Sequence, residues 1–353
     1  MRSSARARRY RPLIWLVSAL LVLGAGAAAG DPAAADRTDT GTYGVPGLDY
    51  TYRAFVPAGL PEHPALLVMI HGCRTTAEQQ QRANLLDPLA RRAGFVVLYV
   101  DGTPLHRLQD RCWSGLLTPA LESRTTGDAA AIAAMTRAAA ERYGADPHRI
   151  YALGMSSGAF ETALLGAYFP DLFAAVGLHS GAAFGHGVLG CVGPALPGAA
   201  TEQLAAQAFS AQGGHRRVVP MIAVRGDADT TVSAECGEQA VAQWRATGNM
   251  TLAAQGVADR IPSEPMTFRE GEVPGGHGYT VRTWDAPGAS CPVLQAWTVH
   301  GMGHFWSGGA DEPDLAEFTD PRGPSASVAA WAFFSRIERT ADGFSCRPPD
   351  TVG

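Results

Sequence analysis

Lysine is absent from this sequence of 353 residues, so all 28 of its basic residues are arginines. Phosphate binding by a P-loop and catalysis through a Schiff base both need a lysine side chain, and the sequence excludes both. The formal net charge of −5 also offers no basic field for nucleic acid. Internal repeats and long low-complexity linkers are missing as well. These absences predict a single domain that binds no nucleic acid.

The N-terminal segment has the features of a secretory signal peptide. Arginines at positions 2, 6, 8, 9 and 11 precede an apolar run over 13–23, which small residues follow as far as residue 29. That run is shorter than the ~20 residues of a membrane span. We therefore predict a signal over 1–29, cleaved after Ala27, Ala29 or Ala35, and a secreted chain without a stable membrane anchor. Export by the general route is expected, twin-arginine export stays open, and an uncleaved anchor is the alternative.

The six cysteines show no spacing typical of a zinc site, such as Cys-x-x-Cys. None of them precedes Cys73, which excludes a lipid-anchored cysteine near the signal. In an exported chain they predict three disulfides, and six cysteines allow fifteen pairings.

A serine between two glycines follows the apolar run 150–153, in the order Gly154-Met155-Ser156-Ser157-Gly158. This order is typical of a nucleophile elbow, the sharp turn from a buried strand into a helix that exposes a serine hydroxyl. The same five residues also fit an ordinary glycine-rich turn. Ser156 is the predicted nucleophile, provided that a base and an orienting carboxylate follow it in the chain.

Both partners are present in the order Ser, Asp, His that an α/β-hydrolase requires. Asp229 follows the apolar run 219–224, and His304 follows the alternating run 294–299. We expect His304 to take the proton of Ser156, and Asp229 to orient the imidazole and stabilise its charged form. Alternatives remain at this stage. Asp227 competes with Asp229 for the acid, and other histidines compete for the base: His179, His277 and His300.

The apolar run 66–70 ends in His71-Gly72-Cys73. A His-Gly motif after the third strand supplies an oxyanion-hole N–H in this fold. We assign the two donors to the backbone N–H groups of Cys73 and Ser157. Two tryptophans, Trp306 and Trp113, are expected to pack the acyl chain of a substrate, with core packing as the alternative.

Apolar strand-like runs alternate with helical stretches, which predicts an α/β fold: a mostly parallel central sheet covered by helices on both faces. The predicted strands are 66–70, 96–100, 150–153, 174–178, 221–224 and 295–299. The predicted helices are 78–93, 127–143, 159–168, 239–247 and 325–336. Two irregular insertions, 184–217 and 249–278, either roof the acyl pocket or are plain surface loops.

From about residue 52 to about residue 336 the chain resembles the esterases related to extracellular type 1 poly(3-hydroxybutyrate) depolymerases, which lie near the feruloyl and acetylxylan esterases. The resemblance rests on the elbow around Ser156 and on His71-Gly72-Cys73. It also rests on the segments 52–57, 112–113, 179–181, 226–232, 303–309 and 319–327. It implies an α/β-hydrolase domain, here over 44–346, that hydrolyses carboxylic esters with no metal and no organic cofactor. It also suggests the disulfides Cys73–Cys112, Cys191–Cys236 and Cys291–Cys346.

The chain departs from this family in three respects. Arg74-Thr75 follows His71-Gly72-Cys73 where the family usually has Thr-Gln, and fewer aromatic residues follow Trp113. No separate substrate-binding domain is expected, so crystalline polymer is a less suitable substrate. We predict a secreted serine esterase for short-chain hydroxyalkanoate esters, poly(3-hydroxybutyrate) or its oligomers. The alternatives are a feruloyl or acetylxylan esterase and a catalytically inactive surface or binding protein.

Overall fold

The apolar runs of the sequence form the centre of a large sheet. The structure is a computed structural model that describes residues 35–44, 47–193 and 199–348, and the predicted signal peptide lies outside them. The strands of this part of the chain are β1 (Arg37–Tyr43), β2 (Tyr50–Val56), β3 (Ala65–Ile70), β4 (Phe95–Asp101), β5 (Ile150–Met155), β6 (Ala175–His179), β7 (Met221–Gly226), β8 (Thr267–Glu272), β9 (Gly278–Asp285), β10 (Pro292–Val299), β11 (Trp306–Ser307), β12 (Thr319–Asp320), β13 (Ile337–Arg339) and β14 (Phe344–Cys346).

Ten of these strands form one sheet in the order β1-β2-β4-β3-β5-β6-β7-β10-β9-β8. The six strands from β4 to β10 run parallel, and they are the six that the sequence predicted. Antiparallel strands extend both edges, β1 and β2 on one side and β9 and β8 on the other. The predicted α/β fold with a mostly parallel sheet is confirmed. These edge strands were not predicted; the side chains of β1 and β8, in particular, are largely exposed and carry little apolar pattern.

Helices cover both faces of the sheet. The described helices are α1 (Ala77–Ala83), α2 (Leu86–Ala93), α3 (Ser114–Leu117), α4 (Gly127–Arg142), α5 (Ser157–Tyr168), α6 (Val188–Cys191), α7 (Thr201–Ala211), α8 (Ala234–Ala254) and α9 (Ala326–Phe334). Successive residues of a strand point to opposite faces. In β3, Leu66 and Val68 therefore pack in the core beneath α4, α5 and α8, whereas Leu67 and Met69 pack with α2 and α9.

The helix predicted over 78–93 is two helices. Leu85 separates α1 from α2 with a left-handed backbone (φ 57°), and the side chain of Asn84 accepts a hydrogen bond from the N–H of Leu86. An amide side chain that offers the backbone an alternative partner favours such a break over a continuous helix. The insertions are also more regular than expected, since 184–217 contains α6 and α7, and 249–278 contains the end of α8 and all of β8.

The described residues belong to one compact unit, which begins before residue 44 because β1 pairs with β2 along its whole length. The loops after β3, β5, β7 and β10 leave the sheet at the carboxyl ends of parallel strands. Open α/β sheets bind their ligands at this edge, and the predicted site residues lie there. Among the described residues, no helix combines the length and the apolar character that crossing a membrane would require.

Candidate active site

Ser156 lies in a sharp turn between β5 and α5. Its backbone has φ 55° and ψ −123°, a conformation that non-glycine residues seldom adopt and that costs about 1–3 kcal/mol. The flanking glycines make the turn sterically possible. A Cβ added to Gly154 would lie 2.0 Å from the carbonyl oxygen of Gly158, and one added to Gly158 would lie 2.3 Å from that of Ile70. The backbone N–H of Ser156 donates to the carbonyl of His179 at 2.9 Å, which holds the strained turn in place.

His304 lies in the loop after β10 and contacts both other members of the predicted triad. Its Nε2 is 2.9 Å from Oγ of Ser156, and its Nδ1 is 2.7 Å from Oδ2 of Asp229. An ionised carboxylate only accepts hydrogen bonds, so Nδ1 carries the ring proton and Nε2 is free to accept from the serine hydroxyl. The three residues thus form one continuous line of hydrogen bonds from a carboxylate to a hydroxyl.

Asp229 is held as a charged acceptor in the turn after β7. Its side chain is 1% exposed, and its Oδ1 accepts hydrogen bonds from the N–H groups of Thr231 and Val232, each at 2.9 Å. Burial alone would raise the pKa of this carboxyl. The hydrogen bonds from His304, Val232 and Thr231 outweigh burial and hold the pKa below its ordinary value. The carboxylate therefore stays ionised beside the imidazole.

The competing acid and histidines have other partners. Asp227 lies two positions before Asp229, but it accepts from Nδ1 of His300 at 2.9 Å and from the N–H of Gly301. His277 contacts Asp320 at 2.8 Å. Neither histidine contacts Ser156 in the described part of the chain. Of the alternatives left open by the sequence, His304 is the histidine that contacts the hydroxyl of Ser156 in the described part of the chain, and Asp229 is the aspartate that contacts His304.

His179 is buried beneath the site and was not predicted to support it. Burial, with a smaller effect of His304, lowers its pKa to about 3, so the ring is neutral. Its Nε2 accepts a hydrogen bond from the N–H of Ser307, and its backbone carbonyl accepts from Ser156. His179 therefore connects the serine turn to the segment just beyond His304. It is the last residue of β6, but a histidine at the end of a strand is too common a feature to indicate this role.

The loop 71–75 passes beside the serine. A Cβ added to Gly72 would lie 3.2 Å from Cβ of Ser156, so the chain approaches closely at that point. The N–H groups of Cys73 and Ser157, the predicted oxyanion donors, donate to no acceptor within the described ranges. Ser157 opens α5, whose N-terminal partial positive charge adds to the attraction for a developing oxyanion.

Two disulfides brace this region. Cys73 pairs with Cys112, which ties the loop after β3 to the segment that carries Trp113. Cys191 pairs with Cys236, and the backbone bridge between Val192 and Val232 holds the α6 segment against the turn of Asp229. The third pair, Cys291–Cys346, lies away from the site and joins β14 to the start of β10. These are the pairings that the resemblance suggests.

Trp113 and Trp306 pack in the core, the alternative that the sequence left open, and do not line the cavity beside Ser156. Trp113 is fully buried and donates from Nε1 to the carbonyl of His71 at 2.8 Å. Trp306 is 1% exposed and stacks on the ring of His179 at 4.9 Å between centroids. Each indole packs behind a site loop, because the segments that follow Cys112 and His304 turn into the core. Sequence proximity to a reactive residue did not indicate the direction of the side chain.

Ser156 and His304 open into a cavity of about 540 Å³. Its walls are largely apolar and come from several loops, with Leu116, Leu117, Phe305 and Phe318 among the lining residues. Val188 and Val192 contribute from the first insertion, whereas residues 249–278 contribute nothing. Of the two alternatives left open for the insertions, the first insertion does line the cavity, and the second does not.

A second group of acidic residues lies buried near α5. One carboxylate oxygen from each of Glu122, Asp128 and Glu161 lies within 4.8 Å of the other two, an arrangement that can hold a cation. Glu122 and Asp128 already accept hydrogen bonds from the protein: the Ser114 hydroxyl contacts both, and the N–H of Ala129 donates to Glu122. Burial, reinforced by the two neighbouring carboxylates, raises the pKa of Glu161 well above its ordinary value. The cluster contributes no residue to the cavity.

The arrangement as a whole defines an α/β-hydrolase. The solved acetyl xylan esterase of Aspergillus awamori superposes with a TM-score of 0.60 at 21% identity over 79% of this chain and 97% of that chain, a likeness of fold. A family model described as "Esterase PHB depolymerase" matches residues 50–261, more than half of the chain. The chain belongs to this esterase family, and the family recognised from sequence is confirmed.

Two curated relatives show the closeness to feruloyl and acetylxylan esterases that the sequence predicted. Feruloyl esterase B of Neurospora crassa is 37% identical over 135 residues, which are 38% of this chain and 44% of the relative. The probable acetylxylan esterase A of Aspergillus clavatus is 33% identical over 131 residues, 37% of this chain and 41% of the relative. The chain thus spans less than half the length of these relatives.

Proposed function

We propose that this protein is a serine esterase in which Ser156, His304 and Asp229 act as a catalytic triad. The observation that carries the proposal is the unbroken hydrogen-bond path from Asp229 through His304 to Ser156, at the floor of an apolar cavity. A serine hydroxyl is a weak nucleophile until a base removes its proton. His304 lies within hydrogen-bonding distance to do so, and Asp229 is ionised to stabilise the imidazolium that results.

The reaction follows from this geometry. Oγ of Ser156 bonds to the ester carbonyl carbon while its proton passes to Nε2 of His304, and the carbonyl oxygen becomes an oxyanion. The N–H groups of Cys73 and Ser157 stabilise that oxyanion. When the intermediate collapses, the carbon–oxygen bond to the alcohol breaks, and His304 protonates the leaving alkoxide. Water then attacks the acyl-enzyme with the same base, which releases the acid and restores the serine hydroxyl.

The proposed substrates are short-chain hydroxyalkanoate esters, namely poly(3-hydroxybutyrate) in amorphous form or its oligomers. The family and the apolar walls of the cavity support an aliphatic acyl group. A feruloyl or acetylxylan esterase is the second candidate, and it is favoured by the names of the two relatives. The signal-like N-terminus and the three disulfides support secretion.

The triad is tested with a fluorophosphonate probe and with p-nitrophenyl butyrate. The mature wild-type protein is expected to be labelled and to hydrolyse the butyrate, and Ser156→Ala is expected to lose both. Ser180→Ala is the matched control, because the Ser180 hydroxyl also lies beside a histidine, His179, but is buried and does not line the cavity. A wild-type protein that is neither labelled nor active would indicate the inactive binding protein instead.

The substrate is tested by clearing of an amorphous poly(3-hydroxybutyrate) suspension, with methyl ferulate and acetylated xylan in parallel. Clearing that is lost in Ser156→Ala supports the depolymerase. Release of ferulate or acetate without clearing supports the second candidate. Secretion is tested by N-terminal sequencing of the protein recovered from the medium, where a start between residues 28 and 36 is expected.

A further inference from the structure

Two oppositely charged side chains lie in the otherwise apolar lining of the cavity. Apart from His304, the charged residues that line it within the described ranges are Arg74 and Glu317. Arg74 follows directly after Cys73, and Glu317 lies in the segment between β11 and β12. Nη2 of Arg74 is 3.0 Å from Oε2 of Glu317, so the pair connects two loops that both line the cavity.

The backbone holds Arg74 in position while its side chain stays accessible. Its φ is 64°, and its N–H donates to the carbonyl of Asp110 at 2.6 Å, next to the disulfide of Cys112. The side chains of Arg74 and Glu317 are 66% and 70% exposed. Exposed ion pairs of this kind contribute little to stability, so a competing anion exchanges for Glu317 at low cost. The guanidinium is therefore a cation held at the rim of the cavity, and its partner Glu317 can be replaced by another anion.

We propose that Arg74 forms a carboxylate-binding subsite, which makes esters with a free carboxylate near the scissile bond the preferred substrates. A guanidinium binds a carboxylate through two parallel hydrogen bonds, a geometry that neutral esters cannot use. The inference rests on the proposed esterase function and narrows its substrate class. In a hydroxyalkanoate oligomer the terminal carboxylate lies only a short carbon chain from the last ester bond. Neutral polymer interiors and acetylated sugars lack such a group.

Glu317 then acts as an internal competitor for Arg74. When no anionic substrate is bound, the carboxylate of Glu317 pairs with the guanidinium of Arg74. When an acidic substrate binds, the carboxylate of that substrate must displace it. Removing its charge is therefore expected to strengthen the binding of acidic substrates rather than to weaken it. This opposite effect of the two partners separates a binding subsite from a purely structural ion pair, whose loss from either side would have the same consequence.

The test compares kcat/KM for the free acid of the 3-hydroxybutyrate dimer with that for its methyl ester, within each variant. Wild-type enzyme is expected to prefer the acid about tenfold at low salt, with the preference falling as salt is added. Arg74→Gln is expected to abolish the preference, and Glu317→Gln to increase it. Arg92→Gln, at an exposed site on α2 outside the cavity lining, is the control and should keep the wild-type ratio.

The ratio within one variant cancels any general loss of activity, and circular dichroism checks that Arg74→Gln is folded. An acid-to-ester ratio that Arg74→Gln leaves unchanged overturns the proposal, as does a wild-type enzyme with no preference. A fall of the ratio in Glu317→Gln overturns it too. Failure of the esterase function itself is distinguished by p-nitrophenyl butyrate: that substrate is then not hydrolysed either.

Discussion

Of the His–Asp pairs in the described part of the chain, two are built by the same two loops, those after β7 and β10. His304 and Asp229 form the inner pair, and His300 and Asp227 form the outer pair, in each case through Nδ1 and Oδ2. The side chains of the inner pair are 20% and 1% exposed, whereas those of the outer pair are 49% and 40% exposed. Only the inner histidine presents its second nitrogen to a serine; Nε2 of His300 contacts Thr280.

The difference arises from the sheet. β7 and β10 are parallel neighbours, so the turns that follow them run side by side. Asp227 and His300 come directly after the paired strand ends and therefore contact each other there. Gly226 packs so closely on the loop of His304 that an added Cβ would lie 2.0 Å from the carbonyl oxygen of Met302. The outer pair joins the loops at the surface, and the inner pair continues over the sheet toward β5. A His–Asp contact is therefore not by itself a sign of catalysis; a third partner and burial make the distinction.

Removing each histidine in turn is the strongest test of the difference between the two pairs. Because His304 is the proposed base, His304→Ala is expected to lower kcat for p-nitrophenyl butyrate by at least ~10⁴-fold. His300→Ala removes only the exposed contacts with Asp227 and Thr280 and is expected to change kcat by less than about twofold. Steady-state kinetics on both variants give the answer. Comparable losses in the two would mean that the outer pair also takes part in the reaction.

The activities of the two aspartate variants are expected to differ as those of the two histidine variants do. Replacing the inner aspartate should lower kcat far more than replacing the outer one, by nearly the same factor. Asp229→Asn keeps the shape but cannot stabilise the imidazolium or its reactive tautomer, so we expect kcat to fall by about 10⁴-fold. Asp227→Asn should stay within about threefold of wild type, because its partner is exposed. If Asp227→Asn were the inactive variant, the assignment of the acid would be reversed.

A smaller effect is expected on acid stability. The pKa of the Asp229 carboxyl is below its ordinary value of 3.8 in the fold, so its contribution to stability is present above that pH. The contribution is lost as the pH falls through the folded pKa. We expect the difference in unfolding free energy between wild type and Asp229→Asn to be constant near neutrality and to shrink below about pH 4. Urea unfolding at several pH values measures it, with Asp227→Asn, at an exposed site, as the comparison.

The smallest effect on activity is expected at Glu161, where burial is not offset by several hydrogen-bond donors as it is at Asp229. Glu161 is buried like Asp229, but it has one donor, the N–H of Gly115, and its Oε1 has no partner in the described part of the chain. Its pKa is raised, so the folded chain keeps a proton that the unfolded chain loses, and stability declines as the pH rises above the ordinary carboxyl range.

Glu161→Gln is accordingly expected to keep activity within about twofold of wild type and to remove that decline. Urea unfolding between pH 5 and 8 checks this expectation, with Glu270→Gln on the exposed strand β8 as the control. A variant that is much less stable than wild type at pH 8 would show that the charged form of Glu161 is the native one.

Most of the site could be predicted because its parts follow apolar strands directly. Ser156, Asp229 and His304 each lie in the loop after a buried parallel strand, and a parallel sheet brings such loops to one edge. The flanking glycines of Ser156 marked the turn. The sequence could not decide between the inner and outer pairs, since Asp227 and His300 lie after the same strands. That choice depends on how far each loop reaches across the sheet.

Other features depend on contacts that no local pattern shows. Arg74 and Glu317 are 243 positions apart, so their pairing follows only from the way in which two loops meet over the cavity. The buried directions of Trp113 and Trp306 depend on His71 and His179, which lie in other strand–loop units. The edge strands β1 and β8 are mostly exposed and have no apolar stripe to indicate them.

The proposed reacting groups and part of the cavity wall are anchored by different means. The serine, histidine and aspartate rest on the central strands, whereas the α6 wall with Val188 and Val192 is anchored by the Cys191–Cys236 disulfide and by Gln239, which contacts His186. For enzyme engineering this separation is an advantage. Libraries that vary Val188 can reshape acyl selectivity outside the backbone bridge between Val192 and Val232, whereas Val192 is best kept, because the N–H of Val232 also holds Asp229.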